Sequence, residues 1–204
     1  EIALELHSIP KKLLVVGGGY IGMESATIYH GLGSEVTLVE ATPSVMPTMD
    51  PEMVKIYMKE NKDLFKNKYF ETKVTGFNEL KTKVKTTFEK ADGSTFEEDF
   101  DAVLISIGMR PNSSGIAIEN TGVKVDERGF IPVNEESRTN ISNIFAIGDV
   151  TGGALLAHKA SYQGGIASQV IAGHKAAFDA RAIPAVVYTE PEIATAGLSE
   201  QECK

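Results

Sequence analysis

The stretch that most restricts this chain runs from Lys11 to Glu40, KKLLVVGGGYIGMESATIYHGLGSEVTLVE. A short apolar run, Leu13 to Val16, breaks into Gly17, Gly18 and Gly19, and Gly22 completes a G-x-G-x-x-G spacing. A helical pattern follows, then Gly33, a second apolar run from Val36 to Val39, and an acid, Glu40. The order is strand, tight glycine turn, helix, strand, carboxylate, which is the fingerprint of a dinucleotide-binding βαβ unit. The glycine spacing alone arises by chance. It gains weight from the strand before it, the helix after it and the acid eighteen residues beyond Gly22.

The chemistry explains the residue types. A dinucleotide carries two phosphates, which backbone N–H groups at a helix N-terminus bind with help from the helix dipole. Gly17 allows the tight turn, Gly19 lets the pyrophosphate come close, and Gly22 lets the helix settle on the strand. Glu40 is placed to accept hydrogen bonds from the adenosine ribose hydroxyls and to repel a 2′-phosphate. No Arg or Lys stands between Glu40 and Asp50 to offset that repulsion. The expected cofactor is therefore NAD(H). The competing reading of Glu40 is a strand-end acid facing solvent.

Composition closes off other classes. With 204 residues the chain is long enough for one or two domains and a sizeable core. Twenty basic against 28 acidic residues give a net charge of −8, which argues against nucleic acid as a partner. Lysines gather between Lys55 and Lys90, but acids interleave with them, so a solvated face is expected there rather than a phosphate or RNA patch. No apolar run approaches the roughly 20 residues of a membrane helix, and the N-terminus is not signal-like. The expected compartment is the cytoplasm, or the mitochondrial matrix for a eukaryotic source. The start at Glu1 suggests a processed or excised piece. Cys203 is the only cysteine, expected as a bystander rather than a reactive thiol, and no Cys/His cluster offers a metal site.

After the turn, Ile21, Ser25, Ile28 and Leu32 with Gly22, Ala26 and Tyr29 predict one helical face, closed by Gly31 and Gly33. Asp50, Pro51 and Glu52 read as N-cap, first helical residue and first-turn acid of a second helix, with Met53, Val54, Tyr57, Met58 and Phe65 on its apolar face. The methionines are expected in the core rather than in a cofactor box. Near Tyr69 the period turns toward two, giving strands over 70–77, around Val84–Phe88 and over 95–100, with a hairpin signal at Ala91–Ser94. Ala102 to Ile107 suits a buried parallel strand. MRPNSSG (109–115) is a turn-rich break, Ile144 to Ile147 reads as another short strand, and 155–172 reads as a helix with Leu156, Ala160, Ala167 and Val170/Ile171 on one face.

The segments GGGYIGMESATIYHGLGSEVTLVE, LISIGMRPN, RTNISNIFAIGDV, LLAHKA and YTEPEIATAGLSE stand in order along the chain. Together they resemble the pyridine nucleotide-disulfide oxidoreductases, flavoproteins that pass electrons between NAD(P)H, FAD and a cysteine pair. Within that family the likeness is to members that oxidise dihydrolipoamide as homodimeric components of 2-oxo acid dehydrogenase complexes. Related NADH-dependent flavin reductases of the NADH oxidase or mercuric reductase type, and a stand-alone dinucleotide-binding module, are the alternatives. The resemblance implies an α/β fold in three parts. Residues 1–118 would be a Rossmann-like NAD-binding domain with an antiparallel β insert. Residues 119–182 would be the incomplete second segment of an FAD-binding domain, and 183–204 the truncated start of a dimerisation domain. The flavin-binding fingerprint, the cysteine pair and the His–Glu acid/base pair of such enzymes have no counterpart in this sequence, so catalytic residues are expected to be absent and FAD retention poor.

The resemblance also implies roles by position. Gly17, Gly18, Gly19, Tyr20, Ile21, Gly22 and Glu24 would form the NAD pyrophosphate and nicotinamide loop. Glu24 would lie by the nicotinamide and pair with a lysine of the flavin half that is not in this sequence. Glu40 would take the ribose, Val74 the adenine pocket, and Gly108 would approach NAD after its strand. Family members usually carry Arg directly after that glycine; here Met109 intervenes before Arg110. For FAD, Asp149 would accept from the ribitol chain, and Leu155, Leu156, Ala157 and His158 would present a helix N-terminus to the flavin's pyrimidine edge, where reduction places negative charge.

Overall fold

The computed structural model describes residues 2–204, which divide into two compact units. The first comprises the residues up to Gly108 together with Val186–Lys204; the second is Met109–Ala185.

The first unit is built on a four-stranded parallel sheet. Its strands are β1 (Lys12–Val16), β2 (Glu35–Val39), β3 (Asn67–Tyr69) and β7 (Ala102–Ile105), in the order β3-β2-β1-β7. β1 lies between β2 and β7, pairing Leu14 with Thr37 on one side and with Val103 on the other. Successive side chains point to opposite faces, so β1 feeds two cores. Leu13 and Val15 pack with Met23, Ala26 and Tyr29 of α1 (Tyr20–Gly31) and with Val54 and Tyr57 of α2 (Pro51–Glu60). Leu14 packs on the other face with Phe88 and Phe100. Those two belong to an antiparallel sheet of β4 (Thr72–Glu79), β5 (Val84–Lys90) and β6 (Thr95–Phe100). The β5–β6 turn uses Gly93 at φ +81°, with the Ser94 N–H bonded to Asp92 Oδ1 at 2.9 Å. The α/β class with an antiparallel insert is therefore as the sequence indicates.

Several local expectations need correction. On α1 only the Gly22, Met23, Ala26 and Tyr29 side is buried; Ile21, Ile28 and Leu32 are exposed. A helix over a sheet covers a single stripe; here Gly22 and Ala26 allow close approach near the turn, and Met23 and Tyr29 fill the space beside them. The helix ends in a Schellman arrangement, with Gly33 at φ +96° and the Ser34 N–H donating to the Tyr29 carbonyl at 2.9 Å. Asp50, Pro51 and Glu52 do stand as N-cap, first helical residue and first-turn acid of α2, but the Asp50 carboxylate makes no cap bond; its Oδ1 accepts the Glu200 N–H at 3.1 Å. Met53 is exposed while Val54, Tyr57 and Phe65 are buried. Asn67–Tyr69 is a parallel strand that polar residues disguised. β7 is parallel but lies at the sheet edge, half-buried, and Ile105 and Ile107 are exposed.

In the first unit, the C-terminal β8 (Ala185–Val187) and β9 (Ile193–Thr195) pair, and Val187 and Ile193 join the helix-side core.

The second unit has little regular structure besides two 3-10 turns, Ile118–Thr121 and Gly148–Thr151, and α3 (Ala157–Ile171). The expected strand at 144–147 is not formed; Phe145 makes one isolated bridge to Arg138. The buried stripe of α3 is Lys159, Gln163, Ile166, Ala167 and Val170, and Ile171 is exposed. The helix is thus turned relative to its apolar pattern, because two polar side chains reach inward to the Gly148–Thr151 turn.

Candidate functional site

In the first unit, β1 and β7 are adjacent, and the chain leaves β1 through the glycine turn toward β2 on the other side. Such a switch point opens a crevice at the carboxyl ends of the strands. The Ser106 N–H donates to the Val16 carbonyl at 2.8 Å, and the Ser106 hydroxyl lies 3.0 Å from Val16 O and 3.1 Å from Gly17 O. Ser106 therefore ties the end of β7 to the start of the turn. It lies inside the segment LISIGMRPN, in which Gly108 has an expected role and Ser106 has none.

The glycines are required for different reasons. Gly17 has φ +102°, and a Cβ on it would stand 2.5 Å from the Ser106 carbonyl oxygen. A Cβ on Gly22 would stand 2.0 Å from the Gly17 carbonyl oxygen. Both are demanded by the protein's own packing. Gly18 is held between Val45 and Glu40, whose atoms would lie 3.0 and 3.2 Å from an added Cβ. A Cβ on Gly19 would meet nothing within 4 Å. Nothing inside the fold asks for glycine there, and the backbone at Gly19 is open to approach. Gly19 is the N-cap of α1, and the first intrahelical bond is from the Met23 N–H to its carbonyl at 3.0 Å. The first turn thus presents N–H groups with no acceptor inside the helix, the geometry suited to a phosphate.

Glu40 does not simply face solvent. Its Oε2 accepts the Gly18 N–H at 2.6 Å and its Oε1 accepts the Thr42 N–H at 2.8 Å. Its backbone links the end of β3 to the start of the insert, with the Glu40 N–H donating to the Tyr69 carbonyl and the Thr72 N–H donating to the Glu40 carbonyl. The loop after β2 supports the turn from below: Val45 and Met46 are buried, and the Met46 N–H donates to the Gly18 carbonyl at 2.8 Å. The fold therefore brings Gly17, Gly18, Gly19, Gly22 and Glu40 together, with Ser106, Thr42 and Met46 as partners that had no expected role.

The remaining first-unit candidates flank this centre. Tyr20 and Ile21 open α1 and are partly exposed. Glu24, on the next turn, accepts the Tyr188 N–H at 2.8 Å, so its carboxylate holds the returning C-terminal segment. Val74 is half-buried in β4 beside a bulge, packed against the Phe88 and Phe100 cluster. Gly108 has φ +126° and open space around it, two residues beyond Ser106.

In the second unit, Asp149 sits in the 3-10 turn and, with Val150, Leu155, Phe130 and Met109–Asn112, lines a cavity of about 250 Å³. Leu156 is the extended N-cap of α3, and Ala157 and His158 are its first residues. The His158 Nε2 lies 2.7 Å from the Pro184 carbonyl, which can only accept, so that nitrogen carries a proton. Asp149 and Leu155 thus share one cavity. Among the described residues no group of three or more potential metal ligands is found, and no helix is long and apolar enough to cross a membrane.

A glycine turn backed by a carboxylate, at the switch point of a parallel sheet, defines an α/β protein of the dinucleotide-binding class. The chain belongs to the pyridine nucleotide-disulphide oxidoreductase family, whose model matches residues 2–164. It is 46% identical over 202 residues to the dihydrolipoyl dehydrogenase of Vibrio cholerae serotype O1, covering 99% of this chain and 42% of that protein. The dihydrolipoyl dehydrogenase of Haemophilus influenzae is 46% identical over 203 residues with the same coverage. The chain thus spans less than half the length of these relatives. Among solved structures it is similar to LpdA from Mycobacterium tuberculosis, with a TM-score of 0.86 and 30% identity over 97% of this chain and 42% of that one. It is also similar to the HOCl-induced flavoprotein disulfide reductase RclA from Escherichia coli, with a TM-score of 0.88 and 28% identity over 98% of this chain and 45% of that one. The expected NAD and FAD pairing agrees with these names, a pyridine nucleotide in the family's and a flavoprotein in the structural relative's.

Proposed function

We propose that this chain is the NAD-binding central part of a dihydrolipoyl dehydrogenase, with part of an FAD site attached. In the whole protein, dihydrolipoamide gives up two electrons and two protons to a protein disulfide, and NAD+ is reduced to NADH with FAD between them. FAD, when bound, supplies the two-electron relay between thiol and nicotinamide. This chain's own residues bind and orient. The α1 N-terminus and Gly17–Gly19 take the pyrophosphate, Glu40 takes the adenosine ribose, and Gly108 and Val74 border the two ends of the nucleotide. Glu24 lies on the nicotinamide side. Asp149 and the start of α3 address the flavin. With one cysteine and no redox pair in its sequence, the chain alone binds NAD(H) without turnover. The whole protein acts as a cytoplasmic homodimer serving 2-oxo acid dehydrogenase complexes.

The observation that carries this reading is the Glu40–Gly18 contact at 2.6 Å beside the open face of Gly19. A carboxylate held beside the glycine turn supports recognition of a ribose diol and repulsion of a 2′-phosphate. The test is a fluorescence titration of the chain with NADH and NADPH. Tighter NADH binding is expected; equal or better NADPH binding would refute the assignment. The RclA likeness supports a second reading, a flavoprotein reductase of another disulfide. Turnover of the whole protein with dihydrolipoamide and NAD+ separates the two, and its absence would favour the second.

A further inference from the structure

Lys159 is a lysine in a place lysines rarely occupy. It is 5% exposed, on the buried stripe of α3, although lysine is almost never fully buried unless paired. Its ammonium donates to the Gly148 carbonyl at 3.2 Å, to Thr151 Oγ1 at 3.4 Å and to the Gly152 carbonyl. All three acceptors are neutral, and Lys159 takes part in none of the ion pairs among the described residues. One turn later Gln163 completes the hold: its Oε1 accepts the Gly148 N–H at 2.8 Å, and its Nε2 donates to Thr151 Oγ1 at 3.3 Å. Two α3 side chains therefore grip both ends of the four-residue turn whose second residue is Asp149.

A buried ammonium with only neutral partners is costly, and burial pushes its pKa down while the Asp149 charge pulls it back up. A leucine on that stripe would fill the space at lower electrostatic cost. The turn itself is unusual: Gly148 is buried at φ +78°, Gly152 has φ +76°, and the exposed carboxylate between them lines the cavity. The turn has bonds of its own, Thr151 Oγ1 donating to the Gly148 carbonyl at 2.8 Å and the Gly152 N–H to the Asp149 carbonyl at 3.0 Å; the bonds from α3, charge-assisted where Lys159 donates, add a second hold on both ends of the segment that carries Asp149.

We propose that Lys159 is a positioning residue for the flavin ligand, holding the Gly148–Thr151 turn so that Asp149 meets the ribitol hydroxyls. This rests on the flavin reading of Asp149. Lys159 acts through Asp149 and touches no ligand itself.

The test is a double-mutant cycle in the full-length protein: Lys159→Met, Asp149→Asn and both together. FAD affinity is measured by titrating the stripped protein with FAD and following flavin fluorescence, and folding by thermal unfolding. Each single variant is expected to weaken FAD binding about tenfold or more, the range of a lost hydrogen bond to a charged group. The double variant is expected to bind no worse than the weaker single one. Losses that multiply in the double variant, or a Lys159→Met protein that binds FAD like wild type, would overturn the proposal. Should Lys159→Met not fold, the cycle is run with Lys159→Gln, which keeps a donor without the charge; several-fold weaker binding absent in the Asp149→Asn background supports the proposal, and unchanged or additive binding overturns it. A wild-type protein that takes up no FAD overturns the flavin reading itself and is recognised before any variant is compared.

Discussion

Glu40 Oε2 accepts the Gly18 N–H at 2.6 Å. One carboxylate, at the end of the second strand, thereby orders the turn after the first strand. The same group that would recognise a ribose also shapes the loop that would take the pyrophosphate. Glu40→Ala is expected to weaken NADH binding at least tenfold, because a charge-assisted bond to a part-buried backbone donor contributes about 1.5–3 kcal/mol. The NADPH-to-NADH preference should rise in the same variant. Parallel titrations of both nucleotides check this, and an unchanged ratio would contradict the assigned role.

Gly19 and Gly22 should separate binding from folding. At Gly19, φ −70° and ψ 178° suit alanine, and its Cβ would meet nothing within 4 Å. Gly19→Ala should leave stability within about 0.5 kcal/mol of wild type and still lower NADH affinity about tenfold or more. Gly22→Ala places a Cβ 2.0 Å from the Gly17 carbonyl oxygen, so it should lower stability by about 1–3 kcal/mol or more. Urea unfolding beside NADH titration distinguishes the two patterns.

Phe88 holds the insert to the parallel sheet. It is fully buried, stacked on Phe96 at 4.8 Å between centroids and edge-on to Phe100 at 6.2 Å. Phe88→Ala should cost about 3–5 kcal/mol in denaturant unfolding. Phe88→Leu should cost less, since it retains most of the buried volume.

Tyr69 predicts an alkaline limit. Burial, then the charge of Glu98 and the hydrogen bond its hydroxyl donates to Glu98 at 3.1 Å, push its pKa up to about 12. The folded state holds this proton more tightly than the unfolded chain, whose tyrosines titrate near about 10. The resulting stability is fully present below pH 10 and is lost as pH rises toward 12. In Tyr69→Phe, the decline in unfolding free energy between those pH values should be shallower than in wild type. An identical decline would contradict this.

The local order of residues was enough to establish the βαβ unit, its glycine turn and the acid behind it. Each depends on rules that act within a few residues: the freedom of glycine, the two-residue period of strands and the spacing of a turn. The antiparallel insert was legible for the same reason, through alternation from Val84 to Phe88 and the Asp92–Gly93 turn. What stayed hidden depends on partners far along the chain. Asn67–Tyr69 is a strand only because β2 offers it an edge. Ser106 matters only because β7 lies beside β1, and the inward face of α3 is set by the bare carbonyls of a turn rather than by its apolar pattern. Local order alone put a carboxylate after the second strand; its grip on Gly18 arises in the folded chain, because a hydrogen bond across 22 residues forms where the parallel sheet brings two strand ends together.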